Sequence, residues 1–119
     1  MSISISSNGS EIAADLGRQG YRMTRRMAGV IREAGEDMER EWRANLVESS
    51  GAYSKHYQKA IKSKPTGALE VTIAPWSGKQ SNMAFEFGDH NHPPHLDGQR
   101  ALDSLHRLIE RRIAATLVF

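Results

Sequence analysis

The 119 residues carry 16 Lys and Arg against 14 Asp and Glu, for a formal net charge of +2, and no cysteine. That length suits one domain with one modest core, and the absence of cysteine excludes disulfides and thiolate metal sites. The charge balance is too even to argue nucleic-acid binding from bulk charge, and no apolar run approaches the ~20 residues of a membrane span.

The opening MSISISSNGS lacks the basic flank and apolar stretch of an export signal, so a soluble protein used without export is the expectation. Ile3 and Ile5 alternate with serines, which leaves residues 1–9 as either an edge strand or a frayed arm. Asn8-Gly9 marks a turn and Ser10 is a fair N-cap. The pattern is helical from there to about Val47. Ile12 and Leu16 start a stripe that Gly17 and Gly20 weaken, and Met23, Met27, Val30, Ile31, Ala34, Met38, Trp42 and Leu46 then recur at steps of three or four. This second stripe predicts a rod about 40 Å long at ~1.5 Å per residue. Such a helix crosses a whole sheet or reaches a neighbouring subunit, and Ser49-Ser50-Gly51 ends it.

Two charge patterns lie on this helix. Arg18, Arg22, Arg25, Arg26 and Arg32 form a basic cluster, read as a solvated face in preference to a phosphate-binding patch. Glu33, Glu36, Asp37, Glu39 and Glu41 mix with Arg32, Arg40 and Arg43, with Arg40 four residues after Glu36, and predict a salt-bridged surface. The methionines on the stripe are expected in the core, although thioethers also suit an interface that adapts on assembly.

Beyond the helix, Tyr57 and Ile61 share one face, and Lys64-Pro65-Thr66-Gly67 reads as a turn. Leu69, Val71 and Ile73 alternate with polar or small neighbours, the clearest strand of the chain, and Pro75 terminates it. Trp76 follows at a loop tip, where an interface anchor is as reasonable as local packing. A polar loop from Gly78 to Asn82 leads to a second alternating strand, Met83, Phe85 and Phe87. Gly88 breaks it, and Pro93-Pro94 forbid helix and ladder pairing. Ala101, Leu102, Leu105, Leu108, Ile109, Ile113 and Leu117 then recur at helical spacing. Strands with short connections predict an antiparallel meander. A long N-terminal helix and a C-terminal helix, each with one apolar stripe, predict an α+β fold: both helices packed on a three- to four-stranded antiparallel sheet as a two-layer sandwich. The expected core is Met27, Ile31, Met38, Trp42, Val71, Ile73, Phe85, Phe87, Leu105 and Ile109, with the Phe85/Phe87 strand face meeting the Leu105/Leu108/Ile109 stripe.

The one concentration of ligand-type side chains is Asp89, His90, His92, His95 and Asp97, with Asn91 among them. Histidine and aspartate suit divalent metals, but successive residues of an extended, proline-stiffened loop point in different directions. The preferred reading is a polar surface loop that makes hydrogen bonds across a subunit interface. His56 is isolated, and His106 lies beside the last apolar stripe, where a partly buried, hydrogen-bonded imidazole is expected. No serine has a nucleophile-elbow context, and the ten glycines form no phosphate-binding loop. No catalytic residue, cofactor or metal site is assigned.

Three phrases carry a family resemblance: FEFG at Phe85–Gly88, PPH at Pro93–His95 and ALD at Ala101–Asp103. A strand ending in such a phrase, a proline-containing loop and a closing helix opening near ALD resemble the tail-completion, or head–tail joining, proteins of long-tailed siphophages. Gly51 and Ile61 also fit the family's helix-to-strand phrase, from which this chain drops the Pro and Asp. The resemblance implies the same α+β fold in a single domain over 1–119 and a structural, non-enzymatic role in the virion neck, assembled in the host cytoplasm. It implies a ring, six copies in a siphophage, between the head–tail connector or stopper and the tail terminator or tail tube. DNA would pass through the lumen without specific binding, and no membrane is involved. Assembly-interface candidates are Trp76, Asp89, His90, His92, Pro93, Pro94, His95, Arg22 and Arg26. The competing readings are a small metal-dependent nuclease using the His90–His95 loop and a basic nucleic-acid-binding module using the Arg18–Arg32 face.

Overall fold

The computed structural model describes residues 2–7, 18–51, 55–76 and 96–116, with the backbone alone for 18–20. Within them the element order is β1 (Ile3–Ser6), α1 (Arg18–Ser50), α2 (Lys55–Ala60), β2 (Ile61–Gly67), β3 (Glu70–Pro75) and α3 (Asp97–Thr116). The fold is α+β, with helices packed against a three-stranded antiparallel sheet. Met27, Ile31, Met38, Trp42, Val71, Ile73 and Ile109 are buried in the core as expected, and Leu105 packs half-buried at its margin.

Helix α1 runs 33 residues, about 50 Å at ~1.5 Å per residue, longer than its apolar stripe alone suggests. Met23, Met27, Ile31, Ala34, Met38, Trp42 and Leu46 are all buried, so the i, i+3, i+4 spacing maps directly onto its packed side. Gly51, at φ 54°, ends the helix in the left-handed region that glycine adopts without a Cβ clash. Trp42 is fully buried and meets Tyr57 edge to face, with ring centroids 6.4 Å apart at 89°.

The sheet order is β1-β3-β2, with both pairings antiparallel. Strand β1 settles the first alternative in favour of an edge strand. Ile3 and Ile5 pair with Ile73 and Val71 and are buried, while Ser4 and Ser6 face out. The polar side is tied by hydroxyls: Ser4 to Thr72 at 3.1 Å and Thr72 to Thr66 at 3.0 Å, with the Thr66 hydroxyl donating to Glu70 at 2.7 Å.

Two expectations are corrected here. Lys64-Pro65-Thr66-Gly67 is not a turn but the second half of β2, and the chain turns at Ala68-Leu69 instead. Proline is tolerated because β2 lies at an edge of the described sheet, and a register irregularity falls between Pro65 and Gly67. Tyr57 belongs to the short helix α2 and is buried in the same core as Ile61. The sheet around β3 is not a sequential meander: β1, which precedes α1 in the chain, flanks β3 on the side opposite β2. The predicted strand at Met83–Phe87, with core candidates Phe85 and Phe87, lies outside the described residues.

Helix α3 opens at Asp97, four residues before the ALD phrase, and runs antiparallel along α1. Its Ala101 and Ile109 are buried, but Leu108 is 51% exposed and His106 is exposed, against expectation. On a helix that turns ~100° per residue, position 108 lies at one margin of the arc spanned by 101, 105, 109 and 113, about 20° beyond Ala101, where it leaves the contact with α1.

At Gly35, α1 lies close against the sheet. A Cβ there would lie 2.5 Å from Ser63 Oγ and 2.9 Å from Val71 Cγ2. Serine can rotate aside, but the β-branched valine is stiff. Gly35→Ala is expected to destabilise the fold by about 1–3 kcal/mol through overpacking, despite alanine's better helix propensity. Urea unfolding monitored by circular dichroism checks this. A variant as stable as the parent would show that the helix does not press on the sheet at this point.

Candidate functional site

Three groups of described side chains are organised beyond simple core packing. The first is a polar clamp joining the C-terminal end of α1 to the start of α3. Leu96, at φ 54°, turns the chain into α3 through a backbone region unusual for a non-glycine residue, and its carbonyl accepts from Arg100 N at 2.8 Å. The Asp97 carboxylate behind it is fully buried. It accepts from Ser49 Oγ at 3.0 Å and from the Arg100 guanidinium at 2.7 Å, and the Asp97 carbonyl accepts from Asn45 Nδ2 at 3.0 Å. At the other end of α3, Arg112 reaches Asp37 at 2.8 Å and Glu33 at 3.1 Å. Arg40 pairs with Asp37, not with Glu36 as its sequence offset suggested, because Asp37 is the carboxylate shared between the helices.

The second group locks α1 to the α2–β2 junction. Arg43 donates to the carbonyls of Gln58 at 2.9 Å and Ile61 at 2.6 Å, and Glu39 accepts from Ser63 N at 2.7 Å. These two side chains were read as solvated helix charges, yet they satisfy backbone groups at a strand start. Both groups are structural fasteners.

The third group is exposed. Trp76, at the end of β3, is 42% exposed; its indole N–H donates to the Lys62 carbonyl at 2.8 Å, and Lys64 Nζ sits 4.8 Å from the ring centroid. These contacts tie the ring to β2 and still leave it exposed. On α1, Tyr21 is 66% exposed with Arg25 6.0 Å from its ring centroid, and Arg22, Arg26 and Arg32 are exposed as well. On a helix that turns ~100° per residue these positions fall within one arc, opposite the side carrying Met23, Met27 and Ile31.

Asp89, His90, His92, Pro93, Pro94 and His95 lie outside the described residues; of that loop only Asp97 is placed, and it is an anchor for α3. Among the described residues, no group of three His, Cys, Asp or Glu side chains is arranged to hold a metal ion. No described helix is long and apolar enough to cross a membrane. Comparison with family models, with curated proteins and with solved structures finds no match.

The sequence hid Asp97 inside an apparent ligand cluster. The signal that was available is its place at the first turn of a helix, where a carboxylate is favoured. Nothing local marked Arg112 or Asn45, whose partners lie more than 50 residues away.

Proposed function

We propose that the chain is a structural subunit of the neck of a long-tailed bacteriophage, closing the head-proximal end of the tail as a ring and joining it to the head connector. The observation that supports this reading is the order of elements. A long helix lies across an antiparallel sheet, and a second helix opens at Asp97 beside the ALD phrase and closes the structure. The resemblance implies a long helix, an antiparallel sheet and a closing helix near ALD in that order; FEFG and PPH themselves lie outside the described residues. Six copies would repeat one heterologous contact that closes by rotation. Among the described residues, the exposed Trp76 at the end of β3 is the aromatic surface suited to lateral contact. Neighbours in the ring's axis would be a connector or stopper on one side and a terminator or tail tube on the other.

Reconstruction of the virion tests the proposal. The expected result is six copies around the tail axis between connector and tube, each burying at least ~800 Å² against its neighbours, the size of a standard specific interface per partner. The isolated protein is expected to form little stable ring, since such a ring orders on the partner that templates it. Absence of the chain from purified particles would end the proposal.

A further inference from the structure

The charges of α1 are segregated along its length. Five arginines and no acid fall between Arg18 and Arg32, whereas six acids and two arginines follow from Glu33 to Ser50. The two halves differ in how those charges are used. Glu33 and Asp37 are met by Arg112, Asp37 also by Arg40, Glu39 by Arg43 and Glu48 by Arg100. Arg22, Arg25, Arg26 and Arg32 are exposed, and none has an acid within ion-pair distance among the described residues.

This arrangement does not serve the fold. Arg22 stands three residues from Arg25 and four from Arg26 and Arg18, offsets at which like charges repel on a helix. The side chains are turned away from the core stripe, so they cover no apolar surface that needs them. A face that works against its own helix and carries only guanidinium forks, interleaved with an exposed tyrosine, suits a polyanion with spaced phosphates. Arginine presents bidentate donors that fit phosphate oxygens, and the tyrosine offers a surface for a sugar or base. A second copy of the chain fits less well. The acidic half that would have to receive the arginines is already largely paired within its own subunit.

We propose that the outer face of α1 from Arg22 to Arg32 binds the phosphodiester backbone of nucleic acid without reading base sequence. Arg22, Arg25 and Arg26 are the principal contacts, and Tyr21 and Arg32 flank them. The proposal does not rest on the neck reading: the isolated chain tests it, whereas only particles test the other, so each can fail alone.

Fluorescence anisotropy of the full chain with two unrelated duplexes of about 30 base pairs, titrated between about 50 and 200 mM salt, is the direct assay. Binding of equal strength to both duplexes is expected, with log K falling linearly in log salt. Replacing Arg22, Arg25 and Arg26 together by glutamine should flatten that slope by roughly 2–3, one unit per lost phosphate contact, and weaken low-salt binding at least about tenfold. A charge-matched control, Lys55→Gln, Lys59→Gln and Lys62→Gln, removes three exposed lysines from α2 and β2 and should stay within about twofold of the parent. Circular dichroism of both variants confirms that the fold is retained. Any of four outcomes overturns the proposal: no binding to either duplex, equal weakening by the two triple variants, binding to anionic phospholipid vesicles but not to duplex, or a sedimenting dimer that the arginine variant alone dissolves.

Discussion

Trp42→Ala is expected to lower the unfolding free energy by about 3–5 kcal/mol, the largest single loss available in the described core. The side chain has no exposed surface, and it stands where α1, α2 and the sheet converge, with Tyr57 set edge-on against it. Truncation removes both the transfer free energy of a large ring and the aromatic pair, and the surrounding elements are too firmly pinned to collapse into the space. Arg43 and Glu39 hold the α2–β2 junction on one side, and the Asp97 clamp holds α3 near the next turn of the helix. A loss of that size is a large share of the ~5–15 kcal/mol typical of a whole domain. The variant should therefore be partly unfolded at physiological temperature. Chemical denaturation with tyrosine fluorescence and far-ultraviolet circular dichroism measures it. A change under about 1 kcal/mol would show that the ring is not buried at this crossing.

Asp97→Ala is the second large effect, expected at about 2–3 kcal/mol. The reasoning differs from the tryptophan case because little apolar volume is lost. The carboxylate is fully buried and accepts hydrogen bonds from a hydroxyl on α1 and a guanidinium on its own helix. Removing it strands the Ser49 hydroxyl in a part-buried position and leaves α3 without an acid in its first turn. Arg100 moderates the cost, since its side chain is 42% exposed and lies 3.9 Å from Glu48, so its charge can turn to solvent. A double-mutant cycle with Ser49→Ala separates the shared part. A coupling of at least about 0.5 kcal/mol is expected for groups in one hydrogen-bond network. Strict additivity of the two substitutions would mean that the clamp does not act as a unit.

These expectations bear on the proposed assembly role. The clamp and the Arg112 pairs fix α3 along the C-terminal two-thirds of α1, while Tyr21, Arg22, Arg25 and Arg26 are exposed on its N-terminal turns. Destabilising the clamp should loosen the angle between the helices before it unfolds the sheet, because β3 and its two neighbours are held by their own ladders.

Elements whose burial is periodic were legible in the residues alone. Met23 through Leu46 at steps of three and four, Val71 and Ile73 at a step of two, and Ala101 with Ile109 on a last stripe each record which side of an element leaves water, and burial follows them. Leu108 and His106 were misplaced because helical spacing marks a stripe without showing how wide an arc the neighbouring helix covers. The rest depends on contacts made across the fold. Lys64 and Pro65 look like turn residues in isolation and become strand because β3 offers a ladder and the edge position spares the missing proline N–H. Ile3 and Ile5 become strand for the same reason, with partners about 70 residues away. Asp97, Asn45, Arg43 and Arg112 acquire their roles from carbonyls and carboxylates that only folding brings near, and Gly35 from a sheet it meets through space. Periodicity is a local property of the chain, written by the burial of one side. Pairing, anchoring and close approach depend on contacts between distant segments, which no short window of residues contains.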